Sequence, residues 1–108
     1  MIAPRNRTPL RLTATALAEV RSQGRDYESE RPGHGKLFRQ RVHEALTRIA
    51  DHPEGYQQIN ERYRRVYLKT FPCVVVYRIK TDGVEIVGVL PARADPAALS
   101  LRSGGGNR

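Results

Sequence analysis

The sequence contains very few residues that support disulfide or metal chemistry. Cys73 is the only cysteine among 108 residues. One thiol forms no intramolecular disulfide and rules out zinc sites built from several cysteines, and such sparing use of cysteine is typical of a reducing compartment. The histidines, His34, His43 and His52, are nine residues apart, so neighbouring ones would point to opposite sides of a helix. We therefore expect no metal, no cofactor and a cytoplasmic location.

Long apolar runs and nucleophile motifs are also missing. No apolar stretch approaches the roughly 20 residues of a membrane span, and no apolar segment follows Arg5 and Arg7 as in a signal peptide. No serine lies in a Gly-x-Ser-x-Gly turn, and no glycine-rich loop precedes a predicted helix. Cys73 begins the most apolar segment, where a thiol is buried and unreactive. What remains is a small, soluble, basic domain with no evident nucleophile.

The charge is strongly positive and unevenly distributed along the chain. There are 19 lysines and arginines against 11 aspartates and glutamates, which gives a net charge of +8. Residues 1–25 carry +4 and residues 56–80 carry +5, whereas residues 26–55 carry −1 and residues 81–108 are neutral. Such a field attracts nucleic acid, an acidic protein or anionic lipid, or it only keeps a small domain in solution. The central basic segment is therefore the first place to look for a binding site.

The first half of the chain has the pattern of a strand followed by two helices. A short edge strand is predicted over 10–13, and Thr13 or Thr15 can cap the helix that follows. Gly24 weakens that helix by about 1 kcal/mol relative to alanine, which favours a bend there. A Pro-Gly break over 31–35 precedes a second helix, which ends at the segment 52–55. One apolar stripe on this second helix is formed by Phe38, Val42, Ala45, Leu46 and Ile49.

The second half of the chain has the period of two that is typical of strands. Apolar and polar residues alternate over 62–69, which predicts a half-buried strand. The continuous apolar run 73–77 predicts a central strand that is covered on both faces. Thr81-Asp82-Gly83 predicts a hairpin turn into a third strand over 84–90, and a short helical turn is predicted from Asp95-Pro96 through Leu101.

Together these elements predict an α+β domain. Its order is an N-terminal strand, an antiparallel helical hairpin that lies on one face of the sheet, a three-stranded antiparallel meander and a short C-terminal helical turn. We expect a basic N-terminal extension over 1–9, a single domain over 10–102 and a flexible tail over 103–108.

The first strand of the meander is the candidate binding site. Tyr63, Arg65, Tyr67 and Lys69 occupy every second position, so they are predicted to share one face. Arginine forks bind phosphate or carboxylate, and tyrosine rings offer stacking surfaces, so this face suits single-stranded RNA or an acidic partner peptide. The alternative is that it is only the solvated side of an antiparallel sheet. The candidate target- or phosphate-binding residues are Arg64, Arg65, Tyr67, Lys69, Arg78 and Arg93.

Several motifs, in the same order as the predicted elements, resemble the RelE/ParE superfamily of toxins from bacterial type II toxin–antitoxin systems. The resemblance extends from Leu10 to Leu101 and is stronger as an ordered set than in any one motif. Its carriers are Asp26-Tyr27-Glu28, Arg31-Pro32-Gly33-His34-Gly35 with Phe38, His52-Pro53-Glu54-Gly55, the run from Arg64 to Pro72, Val76-Tyr77-Arg78, and the closing segments Val87-Gly88-Val89 and Ala92-Arg93-Ala94-Asp95-Pro96.

The resemblance implies one of two activities. Members similar to RelE are ribosome-dependent endoribonucleases that cut messenger RNA, whereas members similar to ParE are not nucleases and poison DNA gyrase. In a nuclease, Arg65 and Arg93 would fall on two of the functional positions. The central-strand arginine position holds Val74 and the C-terminal tyrosine position holds Leu99, and an aliphatic side chain stabilises no phosphorane charge. These departures weaken the nuclease interpretation.

The ParE-like pattern is also incomplete. Many relatives carry a histidine before an Arg-Arg-Asp-Pro ending, but here those places hold Pro91 and, for the second arginine, Ala94. Three hypotheses therefore follow from the resemblance: a ParE-like gyrase poison that acts by binding, a RelE-like messenger RNA endoribonuclease, or a homologue that has lost toxicity.

All three hypotheses imply the same partner, a cognate antitoxin with an acidic, extended segment that lies over the helical hairpin and the sheet edge. The target would be DNA gyrase or the ribosome. We expect neither membrane association nor operator DNA binding by this chain alone.

Overall fold

The architecture follows the order predicted from the sequence. A computed structural model of the protein describes residues 8–94. Its elements are β1 (Leu10–Leu12), α1 (Ala14–Glu30), α2 (His34–Asp51), a 3-10 helix (Pro53–Gly55), β2 (Arg64–Tyr67), β3 (Cys73–Lys80) and β4 (Gly83–Pro91). The α+β fold is thereby confirmed. The predicted C-terminal helical turn, the tail over 103–108 and most of the N-terminal extension lie outside the described residues.

The four strands form one sheet in the order β1-β4-β3-β2. β1 is parallel to β4 and forms one edge, as its short length and preceding proline predict, and the other pairs are antiparallel. Residues 73–77 of β3 are all buried, which confirms the prediction of a central strand covered on both faces. The register shifts at Val76/Tyr77, where β4 contains one extra residue.

α1 begins at the first of its two candidate caps. The Thr13 hydroxyl accepts a hydrogen bond from the Ala16 N–H at 3.1 Å. The helix then continues without a break through Gly24 to Glu30. Gly24 is buried where α2 crosses, and a Cβ at this position would lie 3.2 Å from Nη1 of Arg39 on α2.

α2 has no side-chain cap of its own, because its N-cap residue is Gly33, in the left-handed region at φ 87°. The Glu28 carboxylate on α1 fills this role by accepting hydrogen bonds from the Gly33 and Gly35 N–H groups, each at 3.1 Å. The helix ends at Asp51, before Pro53. The predicted apolar stripe is confirmed, with Leu46 partly buried and the remaining members, Phe38, Val42, Ala45 and Ile49, fully in the core.

An aromatic cluster fills the end of the core where α1, α2 and the β2–β3 turn meet. Phe71 contacts the rings of Tyr27, Phe38 and His34, with centroids 4.7, 5.4 and 5.0 Å away. His34, which the sequence suggests is a turn residue, is the first residue of α2 and packs within this cluster.

β2 is shorter than the predicted strand over 62–69. Before it, the Asn60 side-chain oxygen accepts hydrogen bonds from the N–H groups of Arg62 and Tyr63, which makes a turn at the point where a longer strand would begin. After it, Thr70 adopts a left-handed backbone at φ 77°. The strand is therefore confined to four residues.

Within residues 8–94, no helix is long and apolar enough to span a membrane. The same residues contain no group of three histidine, cysteine, aspartate or glutamate side chains that could hold a metal ion.

Candidate functional site

Arg65 and Tyr67 lie together on the sheet face that is turned away from the helices, which we call the outer face. Arg65 is paired with Val76 and Tyr67 with Val74, and directly opposed residues share a face. The Arg65 guanidinium lies 5.4 Å from the centre of the Tyr67 ring, in cation–π geometry. Tyr67 is 51% exposed, the largest fraction among the big apolar residues that the structure describes. The structure thus brings two of the predicted site residues into contact.

Gln57 holds this pair in place. Its side-chain oxygen accepts hydrogen bonds from Arg65 Nε at 3.3 Å and from Nη2 at 3.1 Å. Its backbone oxygen accepts from the Arg65 N–H at 3.0 Å, so the segment before β2 also covers the strand edge. Arg65 is therefore oriented by a neutral amide, and no carboxylate within residues 8–94 forms an ion pair with it.

Arg64 points to the other side of β2, as the alternation of a strand requires. Its Nη1 donates to the carbonyl oxygens of Glu54 and Tyr56, at 3.2 and 2.8 Å. These carbonyls belong to the segment that follows α2. Arg64 thus fastens the end of the helical hairpin to β2, in addition to carrying charge.

Lys69 does not join Arg65 and Tyr67 on a regular strand face. β2 ends at Tyr67, so Lys69 lies exposed in the turn before Thr70. Tyr63, at the other end, precedes the strand. The predicted row of four alternating residues is therefore wrong in its extent and holds only for its two central members.

Arg78 lies on β3 opposite Glu85, and the two form an ion pair with a 2.8 Å distance from Nε to Oε1. This pair is partly buried, since the side chains are 38% and 17% exposed. Arg78 is on the predicted face, but its charge is already neutralised within the chain.

Arg93 follows the end of β4 and lies apart from Arg65. Arg65 is level with Val76 and Gly88 in the sheet, whereas β4 ends at Pro91, level with Cys73. Three residues along a strand correspond to about 10 Å, so the backbones of the two arginines lie at least this far apart along the sheet. Arg93 instead borders a cleft of about 210 Å³ whose other lining residues are Gln23, Asp26, Tyr27, Glu30, Pro72 and Pro91.

The Tyr27 hydroxyl and the Cys73 thiol, beside the cleft that Arg93 borders, are both held in their protonated forms. The Tyr27 hydroxyl lies 3.7 Å from Cys73 Sγ, and burial, followed by the neighbouring thiol, raises the pKa of Tyr27 to about 12. Burial also raises the pKa of the Cys73 thiol, although the Tyr27 hydrogen bond and Arg93 partly oppose this. The thiol donates to the Gln23 side-chain oxygen at 3.2 Å, so both groups stay protonated and tie α1 to the sheet.

Of the four residues that differ from the family motifs, three lie in the sheet or directly after it. Val74 lies in the centre of the outer face between Tyr67 and Leu90, with no exposed surface. Pro91 is the last residue of β4, and the Ala94 N–H donates to its carbonyl oxygen at 2.8 Å. Leu99 lies outside the described residues.

Arg48 and Gln57 are site residues that the sequence pattern did not reveal. Arg48, in the last turn of α2, reaches the Tyr67 carbonyl oxygen with its Nη2 at 3.5 Å. Helical spacing places Arg48 off the apolar stripe, but it does not tell which strand the side chain contacts. Nothing in the alternation around Arg65 indicates that Gln57 lies beside it.

Comparison with known proteins indicates the same family as the sequence motifs. The family model described as "ParE toxin of type II toxin-antitoxin system, parDE" matches residues 10–96. The solved structure titled "Chromosomal ParDE TA system from P. aeruginosa" superposes with a TM-score of 0.70, at 18% identity, covering 78% of this chain and 95% of that one. At this identity the likeness establishes the fold. A search of curated proteins finds no match.

Proposed function

The chain belongs to the ParE toxin family of type II toxin–antitoxin systems, and we propose that it inhibits DNA gyrase by binding and is neutralised by a cognate antitoxin. In this proposal the toxin itself makes or breaks no covalent bond. The target-binding residues are Arg65 and Tyr67 on the outer face, with Arg64 and Lys69 beside them and Arg78 and Arg93 farther away.

The observation that carries the proposal is the chemistry of the outer face. It offers an exposed aromatic ring and an oriented, unneutralised guanidinium, which are binding groups. At its centre, where a nuclease would need a group that stabilises developing charge, it has the buried side chain of Val74. Such a surface supports recognition better than catalysis.

The alternative is a RelE-like messenger RNA endoribonuclease that uses Arg65 and Arg93. The separation of these arginines by about 10 Å or more along the sheet disfavours a shared scissile phosphate. A third candidate, a homologue that binds its antitoxin but has lost toxicity, is favoured by Pro91 and Ala94, which replace the histidine and the second arginine of the family ending.

Two observations support the antitoxin partner. The structure to which this fold is similar is described as a ParDE toxin–antitoxin system. The chain also has a net charge of +8, which an acidic partner segment would offset. Both proposed targets and the antitoxin are cytoplasmic, so we propose the same location for this chain.

Controlled expression tests the proposal in cells. Inducing this chain alone is expected to arrest growth, and plasmid DNA recovered from the arrested cells is expected to have lost negative supercoils. Co-expression of the cognate antitoxin should restore both growth and plasmid topology. Undiminished growth at high expression would support the non-toxic homologue instead.

A ribosome assay distinguishes the nuclease alternative from the gyrase proposal. The purified chain is added to ribosomes programmed with a defined messenger RNA, and the RNA ends are mapped. We expect no cleavage at saturating protein. Cuts in the decoding site that disappear in the Arg65→Gln variant would replace the gyrase proposal with the nuclease.

A further inference from the structure

Three arginines around β2 carry positive charge that no carboxylate of the described residues neutralises. Within residues 8–94 the ion pairs are Arg41–Glu44, at 2.9 Å, and Arg78–Glu85, at 2.8 Å. Among the residues that the structure describes, the guanidiniums near β2 bind neutral oxygens: two carbonyls, the Gln57 amide and the Tyr67 carbonyl. We call this set the β2 arginine cluster; its members are Arg48, Arg64 and Arg65.

The cluster contains N–H donors that are held in position but do not all have an acceptor among the described residues. A guanidinium has five N–H groups in a planar fork. Arg48 makes one hydrogen bond, which is long at 3.5 Å, and its buried Nε has no acceptor. Arg65 uses Nε and Nη2 on a single amide oxygen of Gln57. Donors of this kind form charge-assisted bonds with a carboxylate that are stronger than those to neutral acceptors.

We propose that the β2 arginine cluster docks a short acidic peptide segment in an extended conformation. This inference rests on the proposed function, because it assigns the surface that receives the acidic part of the antitoxin. Arg48 and Arg65 would bind carboxylates of that segment, and the exposed Tyr67 ring would pack against its backbone or an apolar side chain.

The length of β2 suits a short peptide segment. β2 is four residues long, about 13 Å, and an extended peptide presents side chains on one side about every 6.6 Å over that length.

The backbone of β2 indicates how the segment would be recognised. The Arg65 N–H is bonded to the Gln57 carbonyl, a bridge joins Gln58 to Arg64, and Arg48 covers the Tyr67 carbonyl. The outward edge of the strand is therefore occupied by the chain itself. Recognition would depend on carboxylate–guanidinium contacts, and not on addition of a further strand to the sheet.

A peptide titration tests the proposal without gyrase or the antitoxin. The probe is a fluorescein-labelled peptide of eight glutamates, and its binding to the full chain is followed by fluorescence anisotropy. We expect Arg48→Gln and Arg65→Gln each to weaken binding by about threefold to fivefold, the range of an exposed ion pair. The double variant should lose about tenfold or more, and binding should weaken as salt is raised.

Arg11→Gln is the matched control, because it removes an exposed arginine of β1, at the opposite edge of the same sheet. It should change peptide affinity by less than twofold. Thermal unfolding of each variant verifies that the fold is retained. An equal loss in Arg11→Gln and Arg65→Gln would show that only net charge matters and would overturn the proposal.

Two further outcomes would also overturn it: no binding of the glutamate peptide by the unaltered chain, or tighter binding of an eight-nucleotide thymidine strand than of the peptide. Failure here is distinguishable from failure of the proposed function. A chain that binds the peptide at the cluster but leaves gyrase active refutes the gyrase proposal alone, and a chain that inhibits gyrase without binding the peptide refutes the docking surface alone.

Discussion

Gly35 lies directly against the Gly24 backbone where α2 crosses α1: a Cβ at Gly35 would be 2.5 Å from the Gly24 carbonyl oxygen. The same Cβ would lie 3.0 Å from the Glu28 Cβ. Because both obstacles belong to the neighbouring helix, a side chain at this position would force the two helices apart. The hairpin that supports the sheet therefore depends on the absence of a side chain here.

Gly35→Ala is expected to lower the free energy of unfolding by about 1–3 kcal/mol, the cost of overpacking a close contact. Urea denaturation measures the change. Gly55→Ala is the control, because its Cβ would make an ordinary 3.4 Å contact with the His52 Cβ and should cost little or nothing. Equal losses in both variants would contradict a specific helix–helix contact.

Glu28 makes stability depend on pH in a predictable direction. Its hydrogen bonds from Gly33 and Gly35 lower its pKa below the usual 4.5, with smaller contributions from Arg39 and His34. The folded state thus favours the carboxylate, and this stabilisation is present above pH 4.5 and is lost as the pH falls through the lowered pKa. Glu28→Gln should therefore destabilise the protein at pH 7 and have a smaller effect near pH 3. A cost that does not change with pH would show that the charge has no role.

Glu19 is expected to make stability depend on pH in the opposite direction. Burial raises its pKa above 4.5, and the Val89 N–H, bonded to it at 2.9 Å, offsets this only in part. Just above pH 4.5 the folded state binds more protons than the unfolded state, so this group makes stability fall as the pH rises. Glu19→Gln keeps an acceptor for Val89 and is expected to be more stable, relative to the unaltered chain, at pH 7 than at pH 4. Chemical denaturation at several pH values measures this, and the reverse trend would refute it.

The Tyr77 hydroxyl connects the central strand to the end of the helical hairpin. It donates a 2.5 Å hydrogen bond to the Pro53 carbonyl oxygen, and burial raises the pKa of Tyr77 to about 12. Tyr77→Phe should cost about 1 kcal/mol, since it leaves this acceptor without its partner. In Tyr67→Phe, which alters an exposed ring, unfolding should change by less than about 0.5 kcal/mol. If both variants unfold alike, the Tyr77 bond contributes nothing.

The periodic parts of the structure could be predicted from the sequence, and the contacts between distant segments could not. The apolar stripe from Phe38 to Ile49 and the buried run 73–77 follow from spacing alone, and both are confirmed. The strand predicted over 62–69 is too long, because the ends of β2 are set by the Asn60 turn and by the backbone at Thr70. The alternation of polar and apolar residues does not predict such local hydrogen bonds and backbone dihedral angles.

The candidate site was predictable to a similar degree. Alternation correctly placed Arg65 and Tyr67 on one face, but it could not show that Glu85 neutralises Arg78 or that Arg93 borders a different cleft. Whether an arginine keeps its charge available depends on its tertiary neighbours, such as Gln57 and the carbonyl that Arg48 reaches. Basic composition alone therefore overstates the binding surface.

The measurement that tests the central claim most directly is a supercoiling assay with purified gyrase and the purified full chain. Relaxed plasmid, ATP and gyrase are incubated with increasing amounts of the chain, and topoisomers and cleaved complexes are separated on gels. We predict that supercoiling stops and that cleaved gyrase–DNA complexes accumulate, while messenger RNA on ribosomes stays intact under the same protein concentrations. Unimpaired supercoiling at saturating chain would contradict the account.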